Sequence, residues 1–226
     1  MTNNTKNDMR SLLAKLEQAG CIRLLSEDGV ELSEPILERT VCFLDLLKSW
    51  NDLARLVSKA DLALLVERHV ADSLSLVPVI LKMKLAGSAL LDIGSGGGFP
   101  AIPLKIVFPD LRVALVERSE RKVGFLRKVV GSLGLSGVHI LRGNFPEVPV
   151  PGRPDVITAR AIENPEKTLG AVLGFLPERA CFLCQRTTTP EIPPDMFHVE
   201  HIKDNWSVAG LRRGELYVIT RSNCST

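Results

Sequence analysis

The residues best suited to chemistry run Asp92-Ile93-Gly94-Ser95-Gly96-Gly97-Gly98-Phe99-Pro100. Gly94, Gly96 and Gly98 supply a backbone free to take unusual angles and let a ligand approach closely. Asp92 stands two residues before the first of them. A second acid, Glu117, follows 19 residues after Gly98, at the end of the next expected strand, where a carboxylate can accept both hydroxyls of a ribose. The dinucleotide fingerprint Gly-x-Gly-x-x-Gly does not fit. Begun at Gly94 it meets Phe99 where a glycine is needed, and begun at Gly96 it meets Ala101. The register that fits is acid-x-Gly-x-Gly-x-Gly. S-adenosylmethionine carries a sulfonium and an ammonium and no phosphate, so an acid at the loop suits it and would repel a pyrophosphate. The loop points to that donor, with a ligand-free glycine turn and a nicotinamide site as the other readings.

Other motifs limit the chemistry. Asn164-Pro165-Glu166 lacks the second proline and the aromatic residue of the tetrad used to methylate exocyclic amines, and Pro165 suits the first turn of a helix. Cys181 and Cys184 form a lone Cys-x-x-Cys in an apolar stretch, which reads as buried thiols rather than a zinc site or a nucleophile, and no metal is expected.

Elements that could hold the loop are legible on both sides. Residues 1–86 read as a helical extension. Leu12, Leu13, Leu16 and Ala19 recur at helical spacing before Gly20. Ser33 caps a second helix with Pro35 in its first turn and an apolar face of Leu37, Val41, Leu44, Leu46 and Leu47. Asp61 is expected to cap a third helix that runs on to Leu81. Residues 87–221 then alternate. Strands are expected at 89–93, 112–117, 138–142, 155–159, 180–184 and 216–221, with helices at 119–133, closed by Gly134, and at 165–176. The order implies an α/β fold, Rossmann-like, with a mostly parallel twisted sheet flanked by helices. Residues 222–226 read as a tail.

The chain has 226 residues, 45% of them hydrophobic and 24% charged, with a net charge of +2. These are values of an ordinary globular protein, and a core can form without disulfides. The five cysteines are odd in number and scattered, and Met1 to Arg10 is polar. No stretch approaches the ~20 apolar residues of a membrane span. A cytoplasmic protein with reduced thiols and no membrane partner is expected.

A family resemblance narrows the function. Leu91 to Leu104 is similar to the donor loop of the glucose-inhibited division protein B family, also called RsmG. Arg121-Lys122-Val123-Gly124-Phe125-Leu126, Thr158-Ala159-Arg160-Ala161, Trp50-Asn51, Arg68-His69-x-x-Asp72-Ser73 and Gly214-Glu215-Leu216 resemble further family elements. The resemblance covers about residues 30 to 221. It implies a class I fold and a methyltransferase that acts on N7 of a guanine in bacterial 16S ribosomal RNA. It implies a donor pocket of Asp92, Gly94, Gly96, Gly98, Phe99, Gly143, Asn144 and Arg160, with Glu117 on the ribose. Arg160 would touch the methionine carboxylate or the guanine, unless it forms only a surface ion pair. His69 would share the catalytic site or serve as a structural hydrogen-bonding group. Arg121 and Lys122, near Arg118, Arg127 and Lys128, and Arg212 with Arg213 would meet RNA phosphates. The partner would be 16S RNA or the 30S subunit, and the protein a monomer.

This chain departs from the family pattern at three places. Arg55 replaces a usual asparagine, Gln185-Arg186 replaces Lys-Gly, and Asn144 stands where a glutamate is common. Rival functions are a methyltransferase for a small molecule or a protein on the same fold, a donor-binding protein without catalysis, and a nicotinamide oxidoreductase. Replacing Gly96 by a bulky residue is expected to abolish donor binding. A dissociation constant unchanged in calorimetry would remove the loop from the site.

Overall fold

The computed structural model describes residues 3–160, 165–186, 190–202 and 215–222. Helices come first: α1 (Asn3–Gln18), α2 (Cys21–Glu27), α3 (Glu34–Ala54), α4 (Lys59–Leu62), a π-helical turn (Val66–Val70), α5 (Ala71–Leu74) and α6 (Val77–Lys82). The alternating part follows as β1 (Ala89–Ile93), α7 (Ala101–Val107), β2 (Arg112–Glu117), α8 (Glu120–Leu133), β3 (Val138–Arg142) and β4 (Val156–Ala159). It closes with α9 (Pro165–Phe175), β5 (Cys181–Arg186), β6 (Phe197–Ile202) and β7 (Glu215–Arg221).

The sheet has the order β3-β2-β1-β4-β5-β7-β6. The first five strands are parallel, while β7 runs antiparallel to both β5 and β6. The chain lays β1, β2 and β3 outward in one direction, then returns to place β4 on the other side of β1. That reversal opens a crevice at the carboxyl ends of β1 and β4, where ligands bind in open parallel sheets. Ile93 is in register with Ala159, so the residues that follow each strand emerge side by side.

Alternation along the strands sorts side chains between two cores. Leu90, Val113, Leu115 and Val156 join the apolar cluster formed by the N-terminal helices, α7 and α8. Leu91, Ile93, Val116 and Ile157 face the opposite way, toward Leu169, Val172 and Leu176 of the α9 region. Asp92 and Thr158 share parity with Leu90 and Val156, so they lie toward the N-terminal helices. Phe43 of α3 is fully buried there, its ring 5.1 Å from that of Phe99 and 6.5 Å from that of Phe125.

Local rules account for most element ends. Gly134 takes φ 62 after α8, where backbone N–H groups close back on Gly131 and Val130, and Gly20 takes φ 68 between α1 and α2. Two expectations need correction. The single helix expected over 61–81 is instead four short pieces, and its cap is Ser58. The Ser58 hydroxyl accepts from the Asp61 N–H at 3.1 Å and donates to the Asp61 carboxylate at 2.6 Å. Asp61 thus lies inside α4, and its other oxygen accepts from Arg68 at 2.8 Å. Those contacts, the Ser58 bond first, lower its pKa. The chain leaves α4 after Leu62 and widens into the π turn at Val66, so the helix that apolar spacing alone suggests is interrupted. The second correction is β6, for which no strand was expected. It is an edge strand with prolines before it, and Phe197 is its one fully buried residue.

The end of α3 explains one departure from the family pattern. Asn51 is buried, and its side-chain oxygen accepts from the N–H groups of Leu56 at 3.0 Å and Val57 at 2.9 Å. This turn forces Arg55 to φ 50, ψ 57, a left-handed conformation that asparagine tolerates and arginine does not favour. Arg55→Asn should therefore stabilise the protein by about 1 kcal/mol, read as a raised midpoint in urea. An unchanged or lowered midpoint would show that arginine carries no strain there.

Candidate functional site

The loop after β1 is built by backbone hydrogen bonds and three left-handed glycines. Gly94, Gly96 and Gly98 take φ 71, 52 and 85. The N–H groups of Gly94 and Ser95 donate to the Val116 carbonyl at 2.9 and 3.0 Å, which ties the loop to the end of β2. A Cβ on Gly98 would lie 2.7 Å from Ile102 Cγ1, so this glycine is needed for packing as well as for its angle. A Cβ on Gly94 would meet no atom within 4 Å. The loop is therefore closed on the α7 side at Gly98 and open at Gly94.

Each acid is positioned by a neighbouring strand or loop. Asp92 is 1% exposed, and its Oδ1 accepts from the Thr158 hydroxyl at 2.7 Å across the β1–β4 pair. Its Oδ2 is buried and has no hydrogen-bond partner among the described residues. Burial pushes the Asp92 pKa up to about 6 against the hydrogen bond from Thr158, while the Ser95 hydroxyl donates to the Asp92 backbone carbonyl at 3.1 Å. A buried carboxylate oxygen without a donor is costly unless something supplies positive charge or an N–H. Glu117 is also buried, with Oε2 accepting from the Gly96 N–H at 2.9 Å and Oε1 from the Ser119 N–H at 2.7 Å. It pins the glycine loop to the start of α8, and each of its oxygens keeps a lone pair for a ligand hydroxyl. The site therefore fits a ligand with a cationic group and a ribose.

Arg160 follows β4 and continues the parity of Val156 and Thr158, so it reaches toward the N-terminal helices. Its Nη1 donates to Asp72 Oδ2 at 2.9 Å, with both side chains about 15% exposed. Its Nη2 donates to His69 Nδ1 at 2.6 Å. The guanidinium carbon lies 5.3 Å from the centre of the Phe99 ring, and the His69 ring lies 5.1 Å from the same ring. Gln185 on β5 donates to the Asp72 carbonyl at 3.2 Å. Burial first, then the Arg160 charge, lowers the His69 pKa to about 4, so the imidazole is neutral near pH 7. Its Nε2 is buried with no partner among the described residues.

Sequence reasoning named Arg160, His69 and Phe99, and the structure brings all three into one cluster. The Phe99 ring is buried, packed against Phe43 and His69. Asp72 and Thr158 were not singled out as site residues. Thr158 had a visible signal, a hydroxyl within an otherwise apolar strand, whereas nothing in sequence showed Asp72 reaching a residue so far along the chain. At the β3 end, Gly143 N–H donates to the Glu117 carbonyl at 3.2 Å, and a Cβ there would come 3.1 Å from Val148 Cβ. Asn144 is exposed.

The basic residues divide. Arg121, Arg127 and Lys128 are exposed on α8 and Lys122 is half-buried, while Arg212 and Arg213 lie outside the described residues. Cys181 and Cys184 are buried on β5, and burial pushes the Cys181 thiol up to about 12, which leaves it without nucleophilic character. Among the described residues no helix is long and apolar enough to cross a membrane.

The family described as rRNA small subunit methyltransferase G matches residues 36–203. The ribosomal RNA small subunit methyltransferase G of Acetivibrio thermocellus is 32% identical over 167 residues, covering 72% of this chain and 68% of that protein. Its namesake in Chromobacterium violaceum is 39% identical over 140 residues, covering 62% of this chain and 65% of the relative. For the Neisseria meningitidis protein of that name the covered share of the relative is 62%. The chain thus spans about two thirds of the length of the relatives it matches. In fold it is similar to a crystal structure of a mutant MtNAS in complex with S-adenosylmethionine. That likeness has a TM-score of 0.54 at 14% identity and covers 98% of this chain and 99% of the other. With three quarters of its length matched by one family, and with the glycine loop, both acids and Arg160 inside the match, the chain belongs to the rRNA small subunit methyltransferase G family.

Proposed function

We propose that this protein transfers a methyl group from S-adenosylmethionine to N7 of a guanine in 16S ribosomal RNA. The observation that carries this function is the family match, which spans every residue brought to the crevice between β1 and β4. When bound, the donor supplies an electrophilic methyl group on a sulfonium. Asp92 offers a cation its Oδ2, which has no partner among the described residues, Glu117 accepts from the ribose hydroxyls, and Gly94, Gly96 and Gly98 let the ligand lie against the backbone. Phe99, Gly143 and Asn144 complete the pocket, the last two through backbone groups, which accommodates the exchange of glutamate for Asn144.

Guanine N7 has an in-plane lone pair and no proton, so attack needs no general base. That agrees with a site whose one histidine is neutral and already engaged by Arg160, and beside which Cys181 and Cys184 of β5 are buried. The protein's task is to align N7 with the methyl group and exclude alternatives, since orientation supplies much of the rate. Arg160 keeps N–H groups beyond those given to Asp72 and His69 and directs them to an oxygen of the donor or the guanine. A grip on O6 and N7 together is excluded, because N7 must be free to react.

Arg121 and Lys122 at the start of α8, with Arg212 and Arg213, meet the phosphates of the RNA. With a net charge of only +2, binding to free RNA is weak and salt-sensitive, and a structured ribosomal particle supplies further contacts. We take the protein to act as a cytoplasmic monomer, with residues 1–86 as an extension that contributes to the site.

Two outcomes are expected. Incubated with labelled donor and either 30S subunits or naked 16S RNA, the protein should label one guanine, mapped by N7-specific strand cleavage. Donor bound without label in RNA would leave a small-molecule or protein methyltransferase, or a binding protein. The second concerns pH. Asp92 is neutral below about 6 and charged above it, so donor affinity should strengthen as pH rises through that value. Below it, affinity should fall by up to about tenfold per unit. Asp92→Asn should bind weakly with little pH dependence between 5 and 8, and wild-type affinity in that variant would rule out the carboxylate as the cation's partner.

A further inference from the structure

We infer that His69 and Asp72 are positioning residues for Arg160, so that the N-terminal helices set the geometry at the carboxyl end of β4. This deepens the proposed function and rests on Arg160 facing the reactants there. Both residues come from one short stretch, the π-helical turn Val66–Val70 and α5 that follows it. Wide π turns recur at functional sites because they re-aim side chains that an α-helix would direct elsewhere. Here the turn aims His69 and Asp72 at a single guanidinium, 2.6 Å and 2.9 Å from its two terminal nitrogens.

The chemistry of that contact fixes a tautomer. A guanidinium has only donors and stays protonated, so His69 Nδ1 must accept and the imidazole proton must sit on Nε2. An imidazolium would set two cations against each other across 2.6 Å. Asp72 takes the other terminal nitrogen, and its own backbone carbonyl is held by Gln185 at 3.2 Å. The Phe99 ring supports the guanidinium from below at 5.3 Å. Three sides of Arg160 are thereby occupied, by α5, the π turn and the residue after the glycine loop. An arginine so held reaches its ligand in one orientation, which is how a supporting shell raises a rate without touching the reacting atoms. Gln185, one of the departures from the family pattern, joins the same arrangement.

The test uses the full chain. In wild-type protein with 15N-labelled histidine, the His69 resonances at pH 7 should report Nδ1 unprotonated and Nε2 protonated. Arg160→Met should mix the two tautomers. His69→Leu and Asp72→Asn should each lower kcat/KM for RNA methylation by about 10-fold or more. His69→Asn, which keeps an amide near the Nδ1 position, should recover most of that loss, and His69→Gln, which moves it toward the Nε2 position, should not. In an Arg160→Met background the His69→Leu and Asp72→Asn substitutions should add nothing, because they act through the missing guanidinium. Undiminished effects in that background, or a protonated Nδ1 in the wild type, would overturn the inference. Should the wild type methylate no RNA, the proposed function fails separately, and the tautomer measurement still decides the arrangement around Arg160, even if a variant does not fold.

Discussion

The hydrogen bond from Thr158 to Asp92 joins β1 to β4 at the point where the sheet reverses its strand order, and the site is organised around it. It satisfies one oxygen of a buried carboxylate and leaves the other without a donor among the described residues. In a folded interior such an arrangement is unfavourable until a ligand completes it. The reversal puts the glycine loop and Arg160 next to each other, because Ile93 and Ala159 are paired in register immediately before them. Moving β4 to any other place in the sheet would separate the acid and the arginine, whatever their sequence.

Support for this crevice comes from two directions. Glu117, at the end of β2, clamps the loop through the Gly96 N–H and the helix start through the Ser119 N–H. From the other side, α3 and the π turn press Phe43 and His69 onto the Phe99 ring. The N-terminal helices therefore do more than cover an apolar sheet face. They add polar groups to a site whose backbone the sheet provides, and Phe99 is the contact where the two parts meet.

Much of the fold was legible because its signals are local. Glycines closed α8 and separated α1 from α2, and Pro35 and Pro165 marked helix starts. Short apolar runs between them gave six of the strands. The family, too, followed from motifs contiguous in sequence, above all the loop from Leu91 to Leu104 and the elements around Arg68 and Arg160. What failed depended on side-chain contacts and strand pairings that residue types and spacing do not display. The segment 61–81 has helical spacing, but the chain leaves α4 after Leu62 and opens into a π turn at Val66–Val70. The strand β6 pairs with β7 across a long interval, and no local pattern announced it. Arg55 stood out in sequence only as a departure from a usual asparagine, and the structure shows what that position asks for, a left-handed residue in the turn built by Asn51.

By itself the sequence determined the donor class and the parity of the residues at the end of β4. The spacing of Asp92, the glycines and Glu117 is a property of the chain, and alternation along β4 puts Thr158 and Arg160 on one side. Tertiary structure alone decided what waits on that side. Asp72 and Arg160 lie far apart along the chain and meet because β4 inserts next to β1 under the N-terminal helices. Their ion pair, the tautomer of His69 and the unsatisfied oxygen of Asp92 all depend on burial and on distances between elements. Those quantities arise only when the helices pack on the sheet, because desolvation and hydrogen-bond geometry are set by neighbours in space.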